Sequence, residues 1–578
     1  MLLIWLVSLG FKLSLWPAYR STDFAVHAYW LRLTQTESPF RWYYDAQSRW
    51  TLDYPPLFAW FEYLLGALLL PPQELLSHLK EEHGQCWRNG SLSIEDSCFS
   101  DKAVFWHRAT VAFSELAVLY VGVLCFCNTW PASATSESAL TKEKMALTML
   151  LASFDPNLIV LDHIHFQYNG YLMGLLILSL AALRANRPVL GAFLFAVLLA
   201  SKHIFLYAAP LFFVYLLGSY CVSYNPVRFI TRVATLGVVV VFVFASSIFS
   251  VCSPVEMVQN RDLSSVQNFA GCLGQVGRRL FPVQERGLVH AYWAPNFWAL
   301  YAGTDKVLKV VLSKLWGVQF AASAGDGGVG STQGLVQGEI RFDVLPQVPT
   351  FVTAMLSLLG MVPALLRVWR CRQPQLLLHA YCCCVMSSIF FGYHVHEKAL
   401  LMVSLPMALA ALDSAFDAQL YLKLTWTTQV ALAPLLFPRE LSSFKVILLV
   451  THAWFAFAAL DTFHTKRKQE ARMRNSGLMA LCSARLADGV YLMGLCLVFA
   501  VYEYGAIVES MIRFRIASHP QALLHRYPFL PLMLVSVYCA LGVAKCWSDM
   551  YVLLARKQQA IESYGNSPLV RPLKKKVT

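Results

Sequence analysis

The chain has 578 residues, of which 57% are hydrophobic and only 14% are charged. Soluble domains carry about a quarter charged residues, so the composition excludes an ordinary soluble protein and indicates a membrane protein. The net charge of +13 does not indicate nucleic-acid binding, because no basic stripe interleaved with aromatic residues lies outside the apolar segments. It fits lysine and arginine side chains that hold cytosolic loops against an anionic lipid bilayer.

Long apolar segments recur along the whole chain and predict an all-α polytopic membrane protein with about 14 transmembrane helices. We expect a single integral-membrane domain over residues 1–555 and a cytosolic tail over 556–578. The first segment has no basic region and no cleavage site, so it is interpreted as a retained signal anchor. In chain order the predicted spans are 1–17, 102–127, 145–161, 168–183, 188–201, 203–220, 229–251, 349–367, 375–391, 397–412, 418–437, 443–461, 486–507 and 527–553.

Basic residues in the connections predict the orientation, since such residues stay on the cytosolic side. If each span crosses once, residues 18–101 form a large luminal first loop, and 252–348 form a luminal or re-entrant region without a net crossing. Within the first loop, the apolar stretch 55–71 predicts an interfacial helix lying on the membrane. The connections assigned to the cytosol hold Lys142 and Lys144, Arg184 and Arg187, Arg228 and Arg232, Arg367 to Arg372, and the run 464–474.

Three further features concern the compartment. Asn89 begins an Asn-Gly-Ser sequon, which is usable for glycosylation only if the first loop is luminal. Cys86 and Cys98 lie in the same polar loop and could pair there, whereas the other cysteines sit mostly in apolar segments without metal-ligand spacing. The end Lys575-Lys576-Val577-Thr578 resembles the dilysine signal that returns membrane proteins to the endoplasmic reticulum.

Polar clusters occur at the predicted luminal ends of the spans. Ionisable groups so near a bilayer are expensive, which favours a functional role for them. Several of these groups follow spans that are far apart in sequence, so the topology predicts that they meet at one surface. The clusters comprise Asp23 after the first span, Asp53 and Tyr54 later in that loop, Asp162, His163, His165 and Gln167 in a second turn, and His394, His396, Glu397 and Lys398 in a third.

Each cluster has a structural alternative. Asp23 could cap an interfacial helix, and His163 and His165 could contact lipid headgroups. Residues 394–398 could form a luminal cluster of salt bridges. The four histidines of the second and third clusters could also nominally bind zinc. Lys398 and the neighbouring aromatic residues fit an anionic phosphate better, so we predict no metal.

The sequence blocks around these clusters resemble one family. Blocks 21–30, 50–66, 161–174 and 391–401 resemble the endoplasmic-reticulum glucosyltransferases of the asparagine-linked glycan pathway, which have the GT-C fold and use dolichyl-phosphate glucose. Two paralogous enzymes share that pattern, adding the first and the second glucose. Residues 202–210 and 279–301 are similar to the second-glucose enzyme in particular.

The resemblance implies luminal, inverting transfer of glucose to a dolichyl-diphosphate oligosaccharide that already carries one glucose. It maps the general base onto Asp23 and the donor phosphate site onto His394, His396 and Lys398, with Glu397 orienting them. It implies no metal or other cofactor and leaves the oligomeric state open. Around the sugars we expect Asp53, Tyr54, Asp162, His163, His165 and Gln167.

Some features depart from the family or leave other functions open. Residues 250–276 do not look like the shorter segment expected there, and Ala28-Tyr29 stands where relatives usually carry Arg-Asn. The alternatives are the first-glucose enzyme, a related dolichyl-phosphate mannosyltransferase and, in a different class, a polytopic transporter. A transporter would show charged or broken helices at the bilayer midplane and often repeats, and neither is visible in the sequence.

Overall fold

The computed structural model is almost wholly helical. It includes one short antiparallel pair, β1 (Trp87–Arg88) and β2 (Ser91–Leu92), in which Trp87 lies opposite Leu92. The structure describes residues 1–48, 50–68, 87–88, 91–92, 99–130, 139–252, 265–282, 286–290, 293–318, 320, 342–474, 485–515 and 529–565.

In the N-terminal half, two helices, over residues 22–36 and 56–68, lie outside the long apolar spans and precede the main bundle. The apolar character of the bundle helices reflects burial against lipid and against one another. In chain order all the helices of this half are α1 (Leu2–Ser14), α2 (Thr22–Thr36), α3 (Pro56–Leu68), α4 (Asp101–Cys127), α5 (Ala139–Ser153), α6 (Asn169–Arg184), α7 (Pro188–Ser201), α8 (His203–Cys221) and α9 (Pro226–Phe249).

The C-terminal half begins with two helices that follow α9 and then completes the bundle. Its main contacts are α12 on α13, and α18 on α13, α15 and α17. In chain order these helices are α10 (Ser265–Leu280), α11 (Phe297–Trp316), α12 (Thr350–Cys371), α13 (Leu377–Phe391), α14 (Leu401–Ala410), α15 (Ala415–Leu432), α16 (Ser442–Arg474), α17 (Arg485–Arg515) and α18 (Leu530–Gly565).

Every predicted apolar span coincides with helix, so the all-helical, multi-pass architecture is confirmed. Within the described residues, eight helices are long and apolar enough to cross a membrane. Helices α1, α3, α6 and α7 are apolar but have only 13 to 16 residues, short of the 20 or so that a perpendicular crossing needs. The total of about 14 crossings therefore stays a prediction.

The C-terminal helices are longer than the predicted spans. Helix α16 has 33 residues and α18 has 36. At 1.5 Å per residue they reach about 50 Å, well beyond the roughly 30 Å of hydrocarbon. The basic run 464–474 and the first part of the predicted tail are therefore helical extensions and not loops.

The predicted first loop holds helices of its own. The apolar stretch 55–71 is helical as α3, and its interfacial position stays a prediction. Helix α2 follows α1 closely and packs against α3. The region 252–348 likewise contains α10 and α11. A disulfide between Cys252 and Cys272 ties the end of α9 to α10, a pairing that the sequence analysis did not predict. Asn89, Cys86 and Cys98 lie outside the described residues.

Helix α10 begins inside the atypical stretch 250–276, ends four residues beyond it, and packs on the N-terminal part of the chain. Gln275 and Arg279 donate hydrogen bonds to the carbonyl of Tyr43, at 2.9 and 3.2 Å. Trp60 of α3 donates another, at 2.6 Å, to Ser250 Oγ. Helix α10 and the end of α9 thus pack on Tyr43 and Trp60, while the side chain of Asp23 stays partly exposed.

Candidate active site

Asp23 lies in the first turn of α2, next to the residue that caps this helix. Ser21 is the N-cap, and its Oγ accepts a hydrogen bond of 3.1 Å from the backbone N–H of Asp23. Serine satisfies an otherwise unpaired amide at a helix start. The capping alternative for Asp23 is therefore wrong, and its carboxylate is available for contacts with other parts of the chain.

The carboxylate of Asp23, in the first polar cluster, contacts side chains of the second cluster (residues 162–167) and of the third (residues 394–398). Its Oδ2 accepts hydrogen bonds from Lys398 Nζ at 2.8 Å and from Gln167 Nε2 at 2.6 Å. His165 Nε2 lies 3.3 Å from the same oxygen. The side chain of Asp23 stays 22% exposed, so a substrate can reach it. The predicted meeting of the three clusters at one surface is observed.

This arrangement keeps Asp23 ionised. Burial alone would favour the protonated acid, but Lys398 and His165 hold the pKa of the Asp23 carboxyl well below its usual value. The group is thus a carboxylate throughout the physiological range.

A buried arginine holds the turn that supplies His165 and Gln167. The π-helical segment Ile159–His165 ends at Phe166, whose backbone φ is 83°. Phe166 thus adopts the left-handed region, which non-glycine residues seldom occupy. The carbonyls of His163 and Ile164 at this break accept hydrogen bonds from the guanidinium of Arg108, at 2.6 and 2.9 Å. Arg108 also donates to the carbonyl of Tyr19 at 2.9 Å, which ties the turn to the segment before α2.

Asp162 is completely buried and holds the same turn from inside. Its two oxygens accept hydrogen bonds from Asn169 Nδ2 at 2.9 Å and from the backbone N–H of Gly170 at 2.6 Å. Asn169 also donates to Gln167 Oε1 at 2.8 Å, which orients the amide that binds Asp23. This geometry gives Asp162 a positioning role, and direct sugar binding by it stays a prediction.

His163 points away from Asp23, into the helix bundle. Its Nε2 lies 2.6 Å from Glu115, and Lys12 pairs with the same carboxylate. These three side chains are at most 2% exposed. His163 therefore links the turn to α1 and α4, and its place around the sugars stays a prediction.

Lys202 lies between the second cluster and the first loop, and sequence reasoning did not single it out. It donates a hydrogen bond of 3.0 Å to Asn169 Oδ1, and its Nζ lies 5.0 Å from the centre of the Tyr54 ring. Asp53, next to Tyr54, is paired with Arg286 at 3.6 Å. Burial raises the pKa of Asp53, with Arg286 and Lys202 opposing that rise. Both predicted first-loop residues therefore face cations at the rim of the site.

The third cluster is built around His394. A parallel bridge between Val289 and Val395 aligns it with the segment before α11, and His394 Nδ1 lies 2.8 Å from the carbonyl oxygen of Gly287. His290 comes from that segment, with its ring 3.6 Å from that of His396.

Burial and neighbouring cations set the charge of these imidazoles. Desolvation lowers the pKa of His394 to about 4 and the pKa of His396 well below its ordinary value. Both rings are therefore neutral at physiological pH while the pocket holds no anion. The single N–H of neutral His394 lies on Nδ1 and donates to the carbonyl of Gly287, so His394 offers a second N–H only as an imidazolium, a form that a nearby anion favours. Neutral His396 carries one N–H that can donate to a phosphate oxygen.

Ring nitrogens of His290, His394 and His396 lie within 4.8 Å of one another, close enough to hold a metal ion. The set of four histidines considered from sequence is not assembled, because His163 binds Glu115 and His165 faces Asp23. Lys398 is 2.8 Å from Asp23, and Glu397 faces His290 at 3.5 Å. Lys398 and the N–H group of His396 give this pocket donors for an anion, and the absence of a metal stays a prediction.

Comparisons with known proteins agree with these blocks. Residues 8–550 match the family described as ALG6, ALG8 glycosyltransferase family. The chain belongs to this family. It is 36% identical over 550 residues to the mouse protein named dolichyl pyrophosphate Glc1Man9GlcNAc2 alpha-1,3-glucosyltransferase, covering 93% of each chain.

Relatives from other kingdoms and phyla carry the same name. The Arabidopsis thaliana protein is 36% identical, with 94% of this chain and 96% of that one covered. The Drosophila melanogaster protein, named as a probable enzyme of this kind, is 37% identical, with 94% and 93% covered. Membership in a glycosyltransferase family argues against the polytopic transporter.

Proposed function

We propose that this protein transfers glucose from dolichyl-phosphate glucose to the dolichyl-diphosphate oligosaccharide that already carries one glucose, forming an α-1,3 linkage. The names of the relatives support the acceptor and the linkage. The observation that carries the chemistry is the carboxylate of Asp23, ionised and partly exposed where the three polar clusters meet.

Asp23 acts as the general base. The donor is β-linked and the product is α-linked, so the reaction inverts the anomeric carbon and needs one base opposite the leaving group. The acceptor hydroxyl loses its proton to Asp23 as its oxygen bonds to C1 of glucose. Gln167 holds the carboxylate in place through its 2.6 Å hydrogen bond.

The leaving group is dolichyl phosphate, which takes the electron pair of the broken C1–O bond. Lys398, His394 and His396 stabilise the charge that develops on the phosphate oxygens. Lys398 is already between the base and this pocket, 2.8 Å from Asp23. Because phosphate leaves as a stable anion, the step requires no protonating acid.

The proposed site lies in the lumen of the endoplasmic reticulum and the C-terminus in the cytosol. The disulfide Cys252–Cys272 supports this orientation, because it lies on the side of the bundle that carries Asp23 and such bonds persist in oxidising compartments. The basic ends of the helices on the opposite side agree with the same orientation.

The experiment is transfer from synthetic dolichyl-phosphate glucose in microsomes, with acceptors bearing zero, one or two glucoses. We expect transfer only to the one-glucose acceptor, unaffected by EDTA. Transfer to the zero-glucose acceptor would identify the first-glucose enzyme instead. Loss of activity with EDTA, restored by a divalent metal, would replace the phosphate role of His394 and His396 with metal binding.

Asp23→Asn tests the base in the same assay. Loss of a general base costs about 10²- to 10⁴-fold in rate. Asp101→Asn is the matched control, because Asp101 is an exposed carboxylate in the first turn of another helix, α4. Equal activity of Asp23→Asn and Asp101→Asn would contradict the assignment.

A further inference from the structure

A second charged cavity lies at the end of the bundle opposite to Asp23. It has a volume of about 380 Å³ and includes Lys144, Arg184, Asp413 and Lys557 in its lining. Helix α6 connects the two ends: Asn169 begins it beside the candidate active site and Arg184 ends it in the cavity. Its 16 residues separate the two by about 24 Å.

The carboxylates at this cavity are already engaged by cations or other donors. Asp413 accepts from Lys144 on Oδ1 and from Lys557 on Oδ2, each at 2.9 Å. Asp417, just behind, lies 2.7 Å from His379 and accepts from Ser414 at 2.5 Å. Neither carboxylate therefore presents an unshielded negative charge to a ligand.

The side chain of Arg184 contacts uncharged groups. Its Nε donates to Thr129 Oγ1 at 2.9 Å, and its guanidinium lies 4.7 Å from the centre of the Phe126 ring. In the described part of the chain, Arg184 forms no ion pair with a carboxylate. Its terminal nitrogens therefore keep the planar fork of donors that matches two oxygens of a phosphate.

Aromatic and apolar side chains complete the lining. Lys144 Nζ lies 4.0 Å from the centre of the Trp130 ring, and Phe126, Leu378 and Ile561 also line the cavity. A tryptophan beside cations at a helix end is typical of the membrane interface. Basic pockets between transmembrane helices on the cytoplasmic side bind anionic lipid headgroups.

We propose that this cavity binds the phosphate group of an anionic phospholipid from the leaflet opposite to the active site. Arg184 binds the phosphate oxygens, Lys144 and Lys557 supply further positive charge, and Phe126 and Ile561 contact the upper acyl chains. The shared chemistry is a phosphate ester anion, which could also come from free phosphate in solution.

The test uses the full chain in nanodiscs of phosphatidylcholine with a minor fraction of phosphatidylinositol. Native mass spectrometry measures which lipid stays bound, and we expect phosphatidylinositol to be enriched over its share in the disc. Arg184→Gln should lower that enrichment about 10-fold, because the neutral amide loses the charge-assisted hydrogen bonds to the phosphate. Arg187→Gln is the matched control, because Arg187 is exposed at the same end of α6.

Inorganic phosphate distinguishes the two sources. If free phosphate displaces the bound phosphatidylinositol at millimolar concentration, the site serves a soluble anion and the lipid assignment is overturned. If Arg184→Gln does not fold, as judged by thermal melting, Arg184→Lys retains the charge without the fork and should lower the enrichment partially. Absence of enrichment with the wild type, or equal enrichment with wild type and a folded Arg184→Gln, would end the proposal.

Discussion

At the scale of single residues, the contact between Lys398 and Asp23 explains how one pocket can hold a base and a phosphate site together. With no donor bound, the ammonium pairs with the carboxylate at 2.8 Å and makes it a weak base. A donor phosphate beside His394 and His396 would compete for the same ammonium. Donor binding would therefore strengthen the base at the moment it is needed.

Replacing Lys398 with Gln should change the pH profile as well as the rate. Lys398 lowers the pKa of Asp23, so its removal raises that pKa, and the base becomes protonated at a higher pH. The acid limb of kcat/KM should move upward in pH, and the rate should fall about 10²-fold through lost phosphate stabilisation. Lys398→Arg should restore most of the original limb. An acid limb that does not move would exclude this coupling.

Deprotonation of Lys202 should limit kcat/KM at alkaline pH. Burial lowers the pKa of Lys202 to about 8, so the side chain is charged below that pH and neutral above it. The neutral amine has less electrostatic attraction for its neighbours, and kcat/KM should decline as the pH rises through 8. The charged groups facing it are Asp162, Asp23, Asp53 and Lys398.

Lys202→Arg separates this titration from other alkaline effects. A guanidinium stays charged throughout this range, so the alkaline limb should move to higher pH in a folded, active variant. The same limb in wild type and Lys202→Arg would show that another group is responsible. The control Lys306→Arg makes the same exchange at a lysine paired with Asp343, away from the site.

At the scale of helices, close packing of α4 on α6 supports the turn that carries His165 and Gln167. A Cβ added at Gly174 would lie 2.5 Å from the backbone nitrogen of Leu119, and one added at Gly122 would lie 2.9 Å from the carbonyl oxygen of Gly174. Small residues allow helices in membranes to approach this closely. The crossing places Arg108 and Glu115 of α4 beneath the turn.

Gly174→Ala should therefore destabilise the protein. The added methyl group meets backbone that cannot move by a side-chain rotation, and overpacking of this kind costs about 1–3 kcal/mol. The melting temperature in detergent should fall. Gly237→Ala in α9 is the control, since nothing lies within 4 Å of its added Cβ. A melting temperature equal to that of Gly237→Ala would contradict the close crossing.

The buried group of Lys12, Glu115 and His163 should show strong coupling. Removing one partner of a buried pair leaves a charge without compensation and costs about 3–5 kcal/mol, whereas replacing both costs much less. Glu115→Gln should therefore melt at a lower temperature than the double variant Lys12→Met/Glu115→Gln. Additive effects of the two substitutions would show that the pair is not a unit.

The sequence predicted the apolar helices well because lipid contact leaves a continuous hydrophobic signal. It gave no bounds for α2, beyond Asp23 as a possible cap of an interfacial helix, because Asp23, His27 and Arg32 interrupt that signal and α2 packs against other parts of the protein. Helix α10 was not predicted for a related reason. Its sequence is polar overall, and its position depends on a hydrogen bond to Tyr43, which is far away along the chain.

At the scale of the whole molecule, the meeting of the three clusters was predictable, since helix ends on one side of a bilayer must share a surface. The residues that contact these clusters from other parts of the chain were not predictable. Arg108, Lys202, Arg286 and His290 are isolated charged or polar residues, and a single cation at the end of a span looks the same as a topological anchor. Contacts such as Lys202 with Asn169 depend on tertiary packing, which leaves no local pattern.

The two ends of the bundle differ in chemistry, and this difference predicts the orientation of the whole protein. The end with Asp23 carries the disulfide Cys252–Cys272, and the opposite end carries Arg184 and Lys557. In sealed microsomes, a membrane-impermeant protease should remove a tag at the C-terminus and leave one in the 18–101 loop intact until detergent is added.

Glycosylation and thiol chemistry test the same orientation independently. Endoglycosidase should shift the mobility of the wild type but not of Asn89→Gln, because only a luminal sequon is modified. Cys252 and Cys272 should resist maleimide until they are reduced, whereas the free Cys496 should react once detergent exposes it. A protected C-terminus together with an unmodified Asn89 would reverse the orientation. It would place Asp23 in the cytosol, where dolichyl-linked acceptors facing the lumen could not reach it.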